Sequence, residues 1–153
     1  MTTGGAFGHQ HGDPRTLAER IDAQLRARVA EAAEMASLDL LVALRAKAGR
    51  PAPADGDQRD RDELTALGFD FLVHLRAVLA EGLSPGERAD LDAAERRAED
   101  TARGRALAGH SHLARRLPDY WQRFERERTV FAARQLAAAA PGRGWLRRLL
   151  GSS

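Results

Sequence analysis

The chain contains no cysteine, which excludes disulfides, thiolate metal sites and thiol nucleophiles together. No stretch approaches the ~18 consecutive apolar residues that a membrane-spanning helix needs. The start, Met1-Thr2-Thr3-Gly4-Gly5-Ala6, has neither the cationic opening nor the apolar run of a secretory leader. A cytoplasmic location is the expectation from these absences. Lysine is also nearly missing: Lys47 is the lone one, and every other basic side chain is arginine. With 24 basic against 22 acidic residues the net charge is only +2. The isoelectric point near 9.9 reflects arginines that do not titrate below ~12, and it is no signature of nucleic-acid binding.

Catalytic signatures are missing as well. There is no Gly-x-Ser-x-Gly, no glycine-rich loop followed by Lys-Ser/Thr, no Glu-x-x-His and no His-x-x-x-His, so hydrolase, nucleotide and helical di-iron chemistry have no support. No alternating period-two run and no internal repeat occurs.

What is present is helical periodicity. Residues 1–12 hold glycines and histidines with almost nothing to bury and read as a disordered arm, with Asp13-Pro14 expected to open the first helix. Leu17, Ile21, Leu25, Val29, Ala33, Ala36, Leu40 and Leu44 then fall three or four apart to about Ala48. Leu38, Leu41 and Val42 make the second half of this helix apolar over most of its circumference. A loop over 50–57 leads to a second helix, from about Asp60 to Glu81, closed by Gly82. Its main face carries Leu64, Leu67, Phe71, Leu72, Leu75, Val78 and Leu79. Phe69 and Val73 lie opposite, so this helix is expected to be sandwiched between neighbours.

Ser84-Pro85-Gly86-Glu87 has the form of a capping box. The helix it starts is weakly apolar and is expected to face solvent and to break near Gly109-His110-Ser111-His112, where two glycines lower helix propensity. Pro118 restarts the chain into a last helix to about Ala140, with Leu117, Tyr120, Trp121, Phe124, Phe131 and Ala138 on one face. The spacing therefore predicts an all-α fold: a three- or four-helix bundle or long helical hairpin over 13–140, with a hinge and a short amphipathic segment over 141–153.

Four places offer candidate chemistry. Glu63, Asp70, His74 and Glu81 share one strip of the second helix, and Asp70 with His74 four residues on has the spacing of a carboxylate–imidazole pair for a general base or a metal ligand. Such stripes are ordinarily solvated faces, and the strip is read so. His9 and His11, and His110 and His112, are two apart and point to different sides of any helix, which is poor metal-ligand spacing. Arg128 falls on the aromatic face of the last helix and is expected to be paired with a carboxylate from the first or second helix. Trp145, Leu146, Arg147, Arg148, Leu149 and Leu150 follow a Pro-Gly-Arg-Gly hinge and form the expected partner-binding segment; folding back on the bundle competes evenly with docking in a partner's groove, and a membrane surface is the weakest of the three readings.

The reading that results is a non-enzymatic helical interaction or scaffold protein that self-associates or docks on a larger protein, with no cofactor and no nucleic-acid partner. The alternative is a ligand- or metal-binding sensor or enzyme using Asp70 and His74.

Overall fold

A computed structural model describes residues 14–98 and 100–141. Among them lie five helices and no strand: α1 Leu17–Lys47, α2 Gln58–Glu81, α3 Pro85–Arg96, α4 Ala102–Arg116 and α5 Tyr120–Ala138. The expected all-α class holds. No helix among the described residues is long and apolar enough to cross a membrane. The expected arm over 1–12 lies outside the described residues, as does the segment from Trp145 to Leu150.

Side-chain caps set the starts of the first four helices. α1 begins at Thr16 rather than at Asp13-Pro14: the Thr16 hydroxyl accepts from the Glu19 amide at 3.1 Å, and the Glu19 carboxylate accepts from the Thr16 amide at 2.9 Å. This reciprocal pair satisfies two donors that a first turn leaves free, which Pro14 alone does not do. Gly49, at φ +73°, turns the chain out of α1 in a conformation that only glycine adopts without strain. Asp57 caps α2. The Ser84–Glu87 capping box opens α3 as the sequence predicts.

The expected third helix is in fact two. One ends at Arg96 and the next begins at Ala102, and Thr101 caps that second start by accepting from the Gly104 amide at 2.9 Å. Gly109-His110-Ser111-His112, where the break is expected, lies inside α4 and is buried. Low propensity is a preference of ~1 kcal/mol per glycine, and tertiary contacts at this stretch outweigh it.

Cross-helix contacts give the arrangement. Arg45 of α1 meets Asp60 and Glu63 of α2, while Ala33 and Ser37 face Gly68, so α1 and α2 run antiparallel. The small residues allow close approach, since a Cβ at Gly68 would already touch the Ala33 carbonyl at 3.6 Å. Arg28 sits over the Trp121 ring and Arg128 bonds Asp39, so α5 runs parallel to α1. Ser111 reaches Asp22 and Arg103 approaches Glu34, so α4 is antiparallel to α1. The short α3 packs mainly on α4 and buries only Leu91.

The core is one cluster, joining Val29, Ala33, Ala36 and Leu40 of α1 to Phe71, Leu72, Leu75 and Leu79 of α2, with Leu107, Leu113, Tyr120, Phe124 and Phe131. α1's inner stripe is thus covered within the chain from Val29 onward. Leu17 and Ile21 at its start remain exposed. α2 is not sandwiched along its whole length, because Val73 is 50% exposed.

Phe124 stands edge-on to Phe71 with ring centroids 5.0 Å apart and also touches Tyr120 and Trp121. Phe124→Ala is expected to cost about 3–5 kcal/mol, the range for emptying a buried aromatic site. Denaturant melts measure it, and a loss below about 1 kcal/mol would place α5 outside the core.

Candidate functional site

Four consecutive residues of α4 each meet a different part of the fold. Gly109 faces α3. A Cβ built there would lie 2.6 Å from the Glu95 Oε2 and 3.0 Å from its Cγ. Glu95 has little room to retreat, because its two oxygens accept from Arg76 Nε and Nη2 of α2 at 2.6 and 2.8 Å, the paired geometry a guanidinium makes with a carboxylate. Asp92 takes a third bond from the same guanidinium at 3.2 Å. These bonds hold the Arg76 pKa above its ordinary value, Glu95 contributing most. The glycine that weakens α4 in isolation is what lets an ion pair between α2 and α3 pass beneath it.

His110 is 1% exposed. Its Nε2 lies 2.8 Å from the Leu72 carbonyl of α2, and its Nδ1 lies 2.9 Å from the Tyr120 hydroxyl of α5. A carbonyl only accepts, so Nε2 carries the hydrogen. Burial drives the imidazole pKa down to about 4, so the ring is neutral at ordinary pH and Nδ1 accepts from Tyr120. Burial likewise raises the Tyr120 pKa, keeping that proton in place. Both ring nitrogens are satisfied and neither is open to a substrate.

Ser111, fully buried, donates to Asp22 Oδ1 of α1 at 2.6 Å. Serine, histidine and aspartate therefore occur together here, but not as a nucleophile–base relay: the serine bonds the carboxylate directly, and no imidazole stands between them. His112, 9% exposed, makes no hydrogen bond with any described residue. It lines two clefts. One, of about 210 Å³ between α1, α3 and α4, also exposes Asp22, Arg26, Arg97 and Arg115. The other, of about 150 Å³, exposes Glu87, Asp90 and Arg116. Burial, and next Arg116 and Arg115, lower the His112 pKa.

Asp70 and His74 do not form the expected pair. Asp70 is exposed, whereas the His74 side chain is only 15% exposed and its Nε2 lies 3.1 Å from Glu127 Oε1 of α5. His74 also packs between Phe71 and Phe131. The strip read as solvated is thus interrupted at its histidine, which turns inward because a buried carboxylate waits on α5. Glu63, on the same strip, accepts from Arg45 at 2.9 Å. The hydrogen bonds from Arg45 hold both Asp60 and Glu63 below the usual carboxylate range. No group of three or more metal-ligating side chains occurs among the described residues, and neither cleft at His112 includes His74. Arg128 is paired as expected, with Asp39 of α1 at 3.0 Å and Glu125 at 3.3 Å. His9 and His11 lie outside the described residues.

Sequence reasoning missed Glu127 and His110, although a signal exists for each. Glu127 falls between Phe124 and Phe131 at the spacing of the buried face, and His110 lies three residues from both Leu107 and Leu113. A polar residue on an apolar period needs a partner, and the sequence does not say where that partner is.

Comparison with protein-family models, with curated proteins and with solved structures finds no match, so function rests on geometry alone.

Two expectations follow from α4. Gly109→Ala improves helix propensity by about 1 kcal/mol, yet it is expected to lose about 1–2 kcal/mol net, because the added methyl displaces Glu95 from Arg76. In a Glu95→Ala background the same change is expected to stabilise. Melts of the four proteins decide this, and a stabilising Gly109→Ala in the native background would show that the approach is soft. The second concerns pH. The folded-state pKa of His110 is about 4, below its unfolded value of ~6.5, so the unfolded chain binds the extra proton between these values. The contribution is whole above ~6.5 and is lost as pH falls, amounting to about 3 kcal/mol by pH ~4. Unfolding free energies measured at intervals across this window check it, and a flat profile would mean the imidazole is not held neutral.

Proposed function

We propose that this chain is a non-catalytic interaction module that pairs with a second copy of itself through the outer face of α1. One observation carries the reading: Met35, Leu38 and Val42 are 64%, 43% and 41% exposed, and their spacing of three and four puts them in one line. α1 buries its opposite face in the core, and these side chains lie outside that cluster. Single exposed apolar residues are ordinary, whereas a continuous line is what association surfaces present.

A second copy fits the chemistry of the line. An antiparallel partner helix crossing between Leu38 and Asp39 sets Met35 against Val42 in both directions, as a two-fold contact requires. The face is small. Partial burial of three such side chains per copy supports association in the micromolar range or weaker, not a permanent dimer.

Light scattering after size exclusion, from about 1 μM to 1 mM where such affinities register, is the test. The mass is expected to climb from 16.7 kDa towards twice that, and Met35→Glu with Val42→Glu is expected to restore the single mass without lowering the melting temperature. A chain that stays single throughout ends this reading. A dimer that survives both substitutions but is lost on deleting residues 142–153 transfers the contact to the segment from Trp145 to Leu150.

A further inference from the structure

We propose that the cleft between α1, α3 and α4 is a binding site for a small oxyanion of the phosphate class, held by His112 together with Arg26, Arg97 and Arg115. The cleft encloses about 210 Å³, room for several water molecules at ~30 Å³ each and so for one tetrahedral anion. Three guanidiniums line it, and planar forks of this kind match phosphate oxygens.

The two carboxylates in the cleft are already engaged. Asp22 accepts the Ser111 hydroxyl at 2.6 Å and stands 2.8 Å from Arg26 Nε, and Glu19 closes the capping box of α1. Arg26 Nε is buried and makes no hydrogen bond of good geometry despite its nearness to Asp22. Arg97 and Arg115 form no ion pair with any described residue. Their places at the ends of α3 and α4 suit a cation on general grounds, and that alone would need no ligand. It does not account for His112, which is 9% exposed and has no hydrogen bond from either nitrogen. Its ring nitrogens are not among the buried atoms left without a partner, so they open on the clefts that His112 lines, and an anion oxygen in this cleft accepts an N–H otherwise offered to solvent. The neighbouring residues cannot serve instead, since His110 and Ser111 spend their polar groups on other helices.

Imidazole resonances of the intact chain, followed by NMR while inorganic phosphate is added, provide the test. Parallel arms use phenyl phosphate and sodium chloride at matched ionic strength. His112 is expected to shift saturably with a dissociation constant of about 1 mM or tighter, while His110 stays fixed. Arg97→Gln with Arg115→Gln, both at exposed positions, is expected to weaken binding at least about tenfold, roughly 1.4 kcal/mol. Tighter binding of phenyl phosphate assigns the site to a phosphoryl group on a larger molecule, and tighter binding of inorganic phosphate assigns it to the free ion. No saturable shift, an equal shift with chloride, or a shift unchanged in the double variant overturns the proposal. His112→Asn checks the assignment, because loss of phosphate binding with an unchanged melting temperature separates a ligand role from a packing role.

Discussion

Burying His110 to 1% exposure carries two polar nitrogens into the core, and each must recover there the hydrogen bond it gave up in water. Leu72 and Tyr120 supply those bonds. The requirement is directional. Nε2 must find a carbonyl, Nδ1 must find a hydroxyl, and the distances leave little slack. α4 therefore cannot rotate or slide against α2 and α5 without leaving a buried polar atom unpaired, at ~1–3 kcal/mol each. Apolar packing brings these helices together but discriminates weakly between registers. The histidine selects one.

The other polar contacts of α4 follow from that registration. With His110 on Leu72, Gly109 falls over Glu95 and Ser111 falls on Asp22, so α3 and the first turns of α1 are placed by the same stretch of chain. At the far end of the molecule Arg45, 4% exposed, ties the end of α1 to the start of α2 through Asp60 and Glu63. His74 and Glu127 join α2 to α5 between these points. The bundle thus sets polar links among its apolar side chains, an arrangement that favours one native packing over near neighbours.

The apolar part of this was legible in the sequence, and so were the helix ends marked by local chemistry. Leu40, Leu75 and Phe124 announce their burial by period, and Ser84 with Glu87 announces a cap, because each signal lies within a few residues of its effect. The break after Arg96 and the burial of Gly109 through His112 were not legible. A glycine-histidine-serine-histidine run reads as weak helix by propensity, and only the presence of Glu95, Leu72, Tyr120 and Asp22 around it makes it the interior of one. His74 was misplaced for the same reason: its own helix offers Asp70 four residues earlier, whereas its partner Glu127 is 53 positions away. Local pairing rules describe which bonds are available within a helix. Burial decides which are needed.

That distinction separates the residues that build the fold from those left over. Met35, Leu38 and Val42 sit on a helix whose inner face already supplies its contribution to the core, and a line of partly exposed apolar side chains outside that core is what association surfaces present. His112 is left over in the opposite sense. Its helix is locked on both sides by Gly109, His110 and Ser111, so the ring is held at the cleft wall by neighbours that have no freedom of their own. A side chain fixed in this way gives up little conformational entropy when it takes a partner, and such preorganisation lets a half-open cleft hold a small anion with few contacts. The polar run that registers the bundle is thereby the support of the one histidine in α4 that the bundle does not use.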